Sequence, residues 1–243
     1  MTVRLMLTCL CDAFYGEVGI ATVRVLEHAG CKVEFPDSQT CCGQPPFNSG
    51  DWEAARKIAA HWKEAFRGQD TPIVTPSSSC AAMIRDGYHL LFPGEVLPPV
   101  FELSEFLVKE LKVDAWPRSY SPGTLSIRRI AYHRACHGRG IGLTDEQERL
   151  LGLVPGIELH LLDQSEQCCG FGGAFSVGLP TVSTGIGMEK LKHVAETGAR
   201  TLVSGDMGCL MHLRGLVEKQ KLGLETKHFA EILADAKPAG VPA

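Results

Sequence analysis

Residues 39–45 read Q-T-C-C-G-Q-P and residues 167–173 read Q-C-C-G-F-G-G. The uncommon triplet Cys-Cys-Gly thus stands twice, as Cys41-Cys42-Gly43 and as Cys168-Cys169-Gly170. A shift of 127 positions superimposes the triplets and also carries Cys9 onto Cys136. A shift of 129 carries Cys80 onto Cys209. Each half therefore reads C-x31-C-C-G-x36/38-C. Coincidence of so many rare residues at one spacing marks an internal duplication.

The segments between the cysteines repeat one order of elements. In the first half, Val3 to Thr8 has the composition of a strand and runs into Cys9. A helix is expected over 18–28 with Gly30 to end it, then a short strand over 32–35 before Pro36. Trp52, Ala55, Ala59, Trp62 and Phe66 step by three and four, the buried face of a helix. Residues 72–75 read as a strand leading into P-S-S-S-C, and 103–111 as a helix. The second half carries strand patterns at 125–133, 157–162 and 201–204. Its helices are expected from Thr144, over 186–196 before Gly198, and over 229–233. Thr144 and Gln147 have the spacing of a capping box. The join, D-A-W-P-R-S-Y-S-P-G-T at 114–124, is rich in turn formers and divides the chain into residues 1–118 and 119–243. Alternating strands and helices predict the α/β class: two tandem duplicated α/β units, each a mostly parallel sheet flanked by helices. The carboxyl ends of parallel strands share one edge, where ligands bind. Cys9, Cys41, Cys42 and Cys80 follow such strands and are expected to converge, as are Cys136, Cys168, Cys169 and Cys209.

Composition narrows the class. The chain has 243 residues, 44% hydrophobic and 21% charged, with a net charge of −4. That is a globular composition without the basic stripe of a nucleic-acid binder. No apolar run approaches the ~20 residues of a membrane span. The opening M-T-V-R-L-M-L-T-C-L is interrupted by Arg4 and lacks a cleavage site, so it reads as a strand and not as an export signal. The ten cysteines are therefore expected in a reducing cytoplasm, where patterned thiols bind metal or do redox chemistry.

Four converging thiolates can hold an iron–sulfur cluster. Gly43 and Gly170 suit that role, because a residue without Cβ lets the backbone approach a bulky inorganic core and take positive φ. Gly172 and Gly173 add room and free N–H groups in the second half. Zinc also takes four cysteines, but through C-x2–4-C pairs that are missing at these positions. A zinc-stabilised scaffold is one alternative, and zinc can enter such thiols in protein made in air. A thiol–disulfide redox protein using the vicinal pair is another, although its usual C-x-x-C beside a helix start is missing too. Cys11 and Cys31 have no counterparts in the second half. Cys31 reads as core, and Cys11 as a thiol outside the ligand set. G-F-G-G at 170–173 is not the G-x-G-x-x-G of a phosphate loop. His137 and His212 fall beside predicted sites, His133 reads as an ordinary strand residue, and the Trp52–Trp62 stripe reads as core.

T-C-L-C-D at 8–12, C-C-G-Q-P at 41–45, P-S-S-S-C at 76–80, C-C-G-F-G-G at 168–173 and G-C-L-M at 208–211 together resemble the tandem cysteine-rich (CCG) domain family. That family includes the cysteine-rich component of heterodisulfide reductase and the iron–sulfur subunits of glycolate oxidase and anaerobic glycerol-3-phosphate dehydrogenase. Its lactate-utilization members consist of the two tandem domains alone, and the resemblance spans nearly the whole chain. It implies an electron-transfer subunit, with no flavin motif of its own, of a complex that oxidises L-lactate, or a close 2-hydroxy acid such as glycolate, to the 2-oxo acid. It implies partner subunits of that lactate-utilization complex, one of them a ferredoxin-like iron–sulfur protein. It also implies a 4Fe–4S cluster, which in similar domains is non-cubane and uses both cysteines of the pair. There is one departure. The family pattern ends C-x-x-C, and here the last place is Met83 in C-A-A-M and His212 in C-L-M-H. A four-ligand cluster, a cluster in one half only, or a ligand from elsewhere, His212 among them, all remain open. Met83 reads as helix core.

Overall fold

The computed structural model describes residues 1–68, 71–116 and 128–235. The expected linker from residue 117 onward, and with it the boundary at 118/119, lies outside the described residues. The first half runs β1 (Thr2–Leu5), α1 (Cys9–Phe14), α2 (Gly16–His28), β2 (Lys32–Glu34), α3 (Gln44–Asn48), α4 (Trp52–Ala65), β3 (Ile73–Thr75), α5 (Ser78–Ala82), α6 (Tyr88–Leu91), β4 (Val100–Glu102) and α7 (Leu103–Glu105). π-helical turns at Met83–Gly87 and Phe106–Glu110 carry α5 into α6 and extend α7. The second half runs β5 (Arg128–His133), α8 (Cys136–Gly140), α9 (Glu146–Gly152), β6 (Ile157–Leu161), α10 (Ala174–Gly178), α11 (Pro180–Glu196), β7 (Thr201–Ser204), α12 (Met207–Gln220), β8 (Glu225–His228) and α13 (Phe229–Asp235). The sheets are ordered β2-β1-β3-β4 and β6-β5-β7-β8, and every pairing is parallel. The duplication seen in the cysteines thus extends to the whole topology, two tandem α/β units as expected. β4, β8, α12 and the short helices α1, α3, α5, α6, α8 and α10 are absent from the sequence expectation. No helix among the described residues is long and apolar enough to cross a membrane.

The halves share a core. Val3, Val25, Leu26, Leu103, Phe106 and Leu107 pack in one buried cluster with Ile130, Tyr132, Leu150, Leu151, Val203 and Phe229. α2 packs on α13, while its counterpart α9 packs on α7, the counterpart of α13. α5 meets α8, and α1 meets α12, again as reciprocal contacts. Reciprocity of this kind defines an isologous interface, formed here within one chain. Trp116 Nε1 spans the halves, donating to Leu233 O at 2.9 Å.

Two sequence expectations are corrected by this packing. The capping box of Thr144 and Gln147 does not form, and α9 begins later, at Glu146. Thr144 N donates to Glu146 Oε2 at 2.6 Å. Gln147 is drawn into the interface, where it donates to Glu102 Oε1 at 3.0 Å and accepts from the Tyr132 hydroxyl. Trp52 is the second correction: it is 41% exposed and stacks on Phe47 instead of entering the core. It opens α4, one turn before the helix face meets the sheet.

The rest of that stripe is buried as expected. Ala55, Ala59, Trp62 and Phe66 pack against Ile73, Ile84 and Tyr88. Trp62 stacks on Phe66, meets the edge of Tyr88, and donates its indole N–H to Met6 Sδ at 3.3 Å. Trp62→Ala is expected to lower the free energy of unfolding by about 3–5 kcal/mol, measured by urea denaturation.

Glu102 offers a pH test of the interface. It is fully buried and accepts from Ser104 N at 2.7 Å, Glu105 N at 3.2 Å and Gln147. Burial raises its pKa from 4.5 to about 7. The folded chain therefore holds this proton more tightly than the unfolded chain. Its contribution is expected to favour folding at low pH and to fade as pH rises through 4.5 to 7, a loss of up to about 3 kcal/mol. Glu102→Gln should flatten that part of the stability curve.

Candidate metal centre

β1, β2 and β3 end on one edge of their sheet, and the chain that follows each end delivers Cys9, Cys41-Cys42 and Cys80. Cys9 opens α1, and Cys80 is the third residue of α5. Ser77 caps α5, its side chain accepting from Cys80 N at 3.2 Å. The sulfurs of Cys9 and Cys41 lie 3.6 Å apart, and those of Cys42 and Cys80 lie 3.5 Å apart. The second half repeats the construction. Cys136 opens α8, and Cys209 is the third residue of α12. The sulfurs of Cys169 and Cys209 lie 2.8 Å apart. Gly43 N and Gly170 N donate to Cys41 Sγ and Cys168 Sγ at 3.4 and 3.3 Å.

Both glycines take left-handed φ, 83° at Gly43 and 91° at Gly170. The positive φ is as expected, but the close approach is to protein. A Cβ would stand 3.3 Å from Ala55 O at Gly43 and 2.5 Å from Ser183 O at Gly170. The glycines let α4 and α11 pack directly beneath the cysteine pairs.

Sequence spacing separates the cysteines into two sets, and the fold then joins the sets. All eight line one cavity of about 180 Å³ between the halves. Asp206 stands at the junction. Its Oδ2 accepts from Ser79 N at 2.8 Å and Ser77 Oγ at 3.3 Å, and its Oδ1 from Gly208 N at 3.0 Å. Ser77 is the counterpart of Asp206 under the shift of 129. One carboxylate thus caps a helix of its own half and holds the matching helix of the other.

Cys42, Cys80, Cys169 and Cys209 are buried, Cys41 is half-buried, and Cys9, Cys136 and Cys168 are exposed. Hydrogen bonds from the Cys42 and Cys9 thiols hold Cys41 as a thiolate, with its pKa lowered to about 3. Hydrogen bonds from Cys136 and Cys169 lower Cys168 in the same way. The donors move the other way: the bonds to Cys41 raise Cys42 and Cys9, and those to Cys168 raise Cys136 and Cys169. The thiols of each set share protons through these hydrogen bonds, and binding a metal as thiolates must release them.

Cys11 is buried against Val18, Met207 and Leu210, and Cys31 lies in the shared core. Met83 is buried in the outer core of the first half. His212 Nε2 lies 3.4 Å from Ser183 O and 3.5 Å from Ser183 Oγ, and the residue does not line the cavity. His137 lines it, with Nδ1 3.8 Å from Cys136 Sγ.

His133 escapes the sequence reading. It ends β5, is 1% exposed, and neither ring nitrogen has a hydrogen-bond partner among the described residues. Its ligand nitrogen and the sulfurs of Cys169 and Cys209 all lie within 4.8 Å of one another. Burial lowers its pKa to about 3, which keeps the imidazole in the neutral, ligating form. The available signal is H-R-A-C-H at 133–137, two histidines bracketing Cys136. Sulfur-rich, partly anionic and close to an unpartnered imidazole, this donor set fits an iron–sulfur cluster or zinc.

The cysteine-rich domain (CCG) family matches residues 3–85 and again residues 130–214, one copy around each cysteine set. The chain belongs to the cysteine-rich domain family. It is 42% identical over 243 residues to Lactate utilization protein A of Shouchella clausii (strain KSM-K16), covering 96% of this chain and 98% of that protein. It is 41% identical over 243 residues to Lactate utilization protein A of Geobacillus kaustophilus (strain HTA426), with the same coverage of 96% and 98%. Among solved structures, a hypothetical protein from Helicobacter pylori superposes with a TM-score of 0.62 at 11% identity, covering all of this chain and 49% of that one. That likeness concerns the fold alone.

Proposed function

We propose that this member of the cysteine-rich domain family is the iron–sulfur electron-transfer subunit of a cytoplasmic complex that oxidises L-lactate, or a close 2-hydroxy acid such as glycolate, to the 2-oxo acid. The observation that carries the reading is the single cavity lined by eight cysteines. The names of the relatives matched over nearly their whole length support lactate as the substrate of the system.

A bound iron–sulfur cluster would supply reversible one-electron storage. The chain's own residues set the conditions for it. Cys9, Cys41, Cys42 and Cys80 would hold one centre, and Cys136, Cys168, Cys169 and Cys209 the other. The amides of Gly43 and Gly170 point at sulfur and stabilise its negative charge. Buried Cys42 and Cys169 keep water from the inner side of the site. Exposed Cys9, Cys136 and Cys168 bring its outer side to the surface, within reach of partner subunits, a ferredoxin-like iron–sulfur protein among them.

Substrate oxidation itself falls to a partner in this reading. Among the described residues, the cavity lining contains no Arg or Lys to receive a 2-hydroxy-acid carboxylate. In cells lacking this chain, L-lactate-dependent dye reduction by extracts is expected to fall to background. Restoring the wild-type chain should restore it, and a rate unchanged by the deletion would contradict the proposal.

A further inference from the structure

The halves differ at one buried corner. In the first half the residue after β1 is Met6, fully buried, with its sulfur accepting the Trp62 indole N–H at 3.3 Å. The shift of 127 places His133 where Met6 stands. α4 and α11 correspond with a shift of 128, because Gly43 lies against Ala55 O as Gly170 lies against Ser183 O. That shift places Lys190 where Trp62 stands. An apolar pair in the first half is therefore an ionisable pair in the second.

Both members are removed from water, His133 at 1% and Lys190 at 0% exposure. Lys190 Nζ donates to Gln164 O at 2.7 Å. His133 differs: neither of its ring nitrogens finds a partner among the described residues. Leaving a buried polar group unpaired costs about 1–3 kcal/mol, and such groups call for an explanation. The sulfurs of Cys169 and Cys209, within 4.8 Å, supply one.

We propose that His133 is a ligand of the second-half metal centre, bound through a ring nitrogen beside Cys169 and Cys209. The second half is then a mixed thiolate–imidazole site, and the first a site of thiolates alone. The proposal rests on the functional reading above only for the identity of the metal. His133 joins the four second-half cysteines without adding charge, whereas the buried Lys190 ammonium brings a positive charge that Trp62, its counterpart, does not. Nearby positive charge raises a reduction potential, so the second-half centre has the higher potential of the two.

The test uses the chain purified without oxygen and labelled with 15N-histidine. Pulsed EPR of the reduced protein should show a directly coordinated histidine nitrogen, and X-ray absorption at the edge of the bound metal should show imidazole scattering. His133→Met, which copies Met6, should lose both signals. His212→Gln should keep both. A folded, metal-loaded wild-type protein without histidine coordination would overturn the proposal. So would a signal that survives in His133→Met or disappears in His212→Gln. If His133→Met fails to fold, the wild-type spectrum still decides the question together with His212→Gln and with His137→Gln, which removes the histidine that lines the cavity beside Cys136; loss of the signal in either variant would overturn the proposal. Zinc-edge imidazole scattering in an iron-free protein would sink the electron-transfer reading and still uphold the mixed site.

Discussion

Cys169→Ser is expected to empty the second-half centre while the first stays loaded, so that metal per chain falls to roughly half. Cys169 is only 3% exposed, and its sulfur lies 2.8 Å from Cys209 Sγ. Serine preserves the shape but exchanges a soft, ionisable donor for a hydroxyl that stays protonated, a poor ligand for iron or zinc. Cys42→Ser should do the same to the first half, where Cys42 is equally buried and lies 3.5 Å from Cys80 Sγ. The double variant should carry no metal. Metal and acid-labile sulfide per chain are the readouts, with near-ultraviolet circular dichroism to show that the fold persists. Full metal in both single variants would remove the vicinal pairs from the ligand sets.

Gly170→Ala is expected to be far more damaging than Gly43→Ala, although the two glycines are counterparts. Both need left-handed backbone, at φ 91° and 83°, which costs a residue with a Cβ about 1–2 kcal/mol. Space separates them. At Gly170 the new Cβ would lie 2.5 Å from the Ser183 carbonyl and 3.1 Å from Gly187 N, both helix backbone. At Gly43 its nearest neighbour would be 3.3 Å away. Overpacking against backbone that cannot step aside adds about 1–3 kcal/mol. Gly170→Ala should therefore lose several kcal/mol by thermal or urea unfolding and lose metal from the second half, whereas Gly43→Ala should lose little beyond the backbone cost. Equal losses would show that packing against α11 is not what holds Gly170.

Much of the fold was legible because the cysteines punctuate it. Two rare triplets and Cys9 over Cys136 reveal the duplication, and strand patterns before each cysteine give parallel sheets; β7 lies at Thr201–Ser204, as expected. β4 and β8 were not legible. They are three- and four-residue edge strands that exist through pairing with β3 and β7, with no alternation of their own. α12 was hidden by Gly208 and Gly215, which weaken helix propensity but sit in a helix anchored by Leu210, Leu213 and Leu216 in buried positions.

The site divides in the same way. Spacing alone identifies the eight cysteines as two matched sets. That they face one cavity depends on α2 against α13 and α9 against α7, contacts made by apolar residues that in sequence say only that they are core. His133 was read as a strand residue and is one. Its significance lies in burial without a partner, which no sequence pattern displays.

What the eight cysteines hold decides the function. The chain should be purified without oxygen and assayed for iron, acid-labile sulfide and zinc, with absorption spectra before and after dithionite. Stoichiometric iron and sulfide, substoichiometric zinc and a visible absorption that bleaches on reduction are the predicted result. Stoichiometric zinc without iron, and no change on reduction, would contradict the electron-transfer role and leave a zinc-stabilised scaffold in its place.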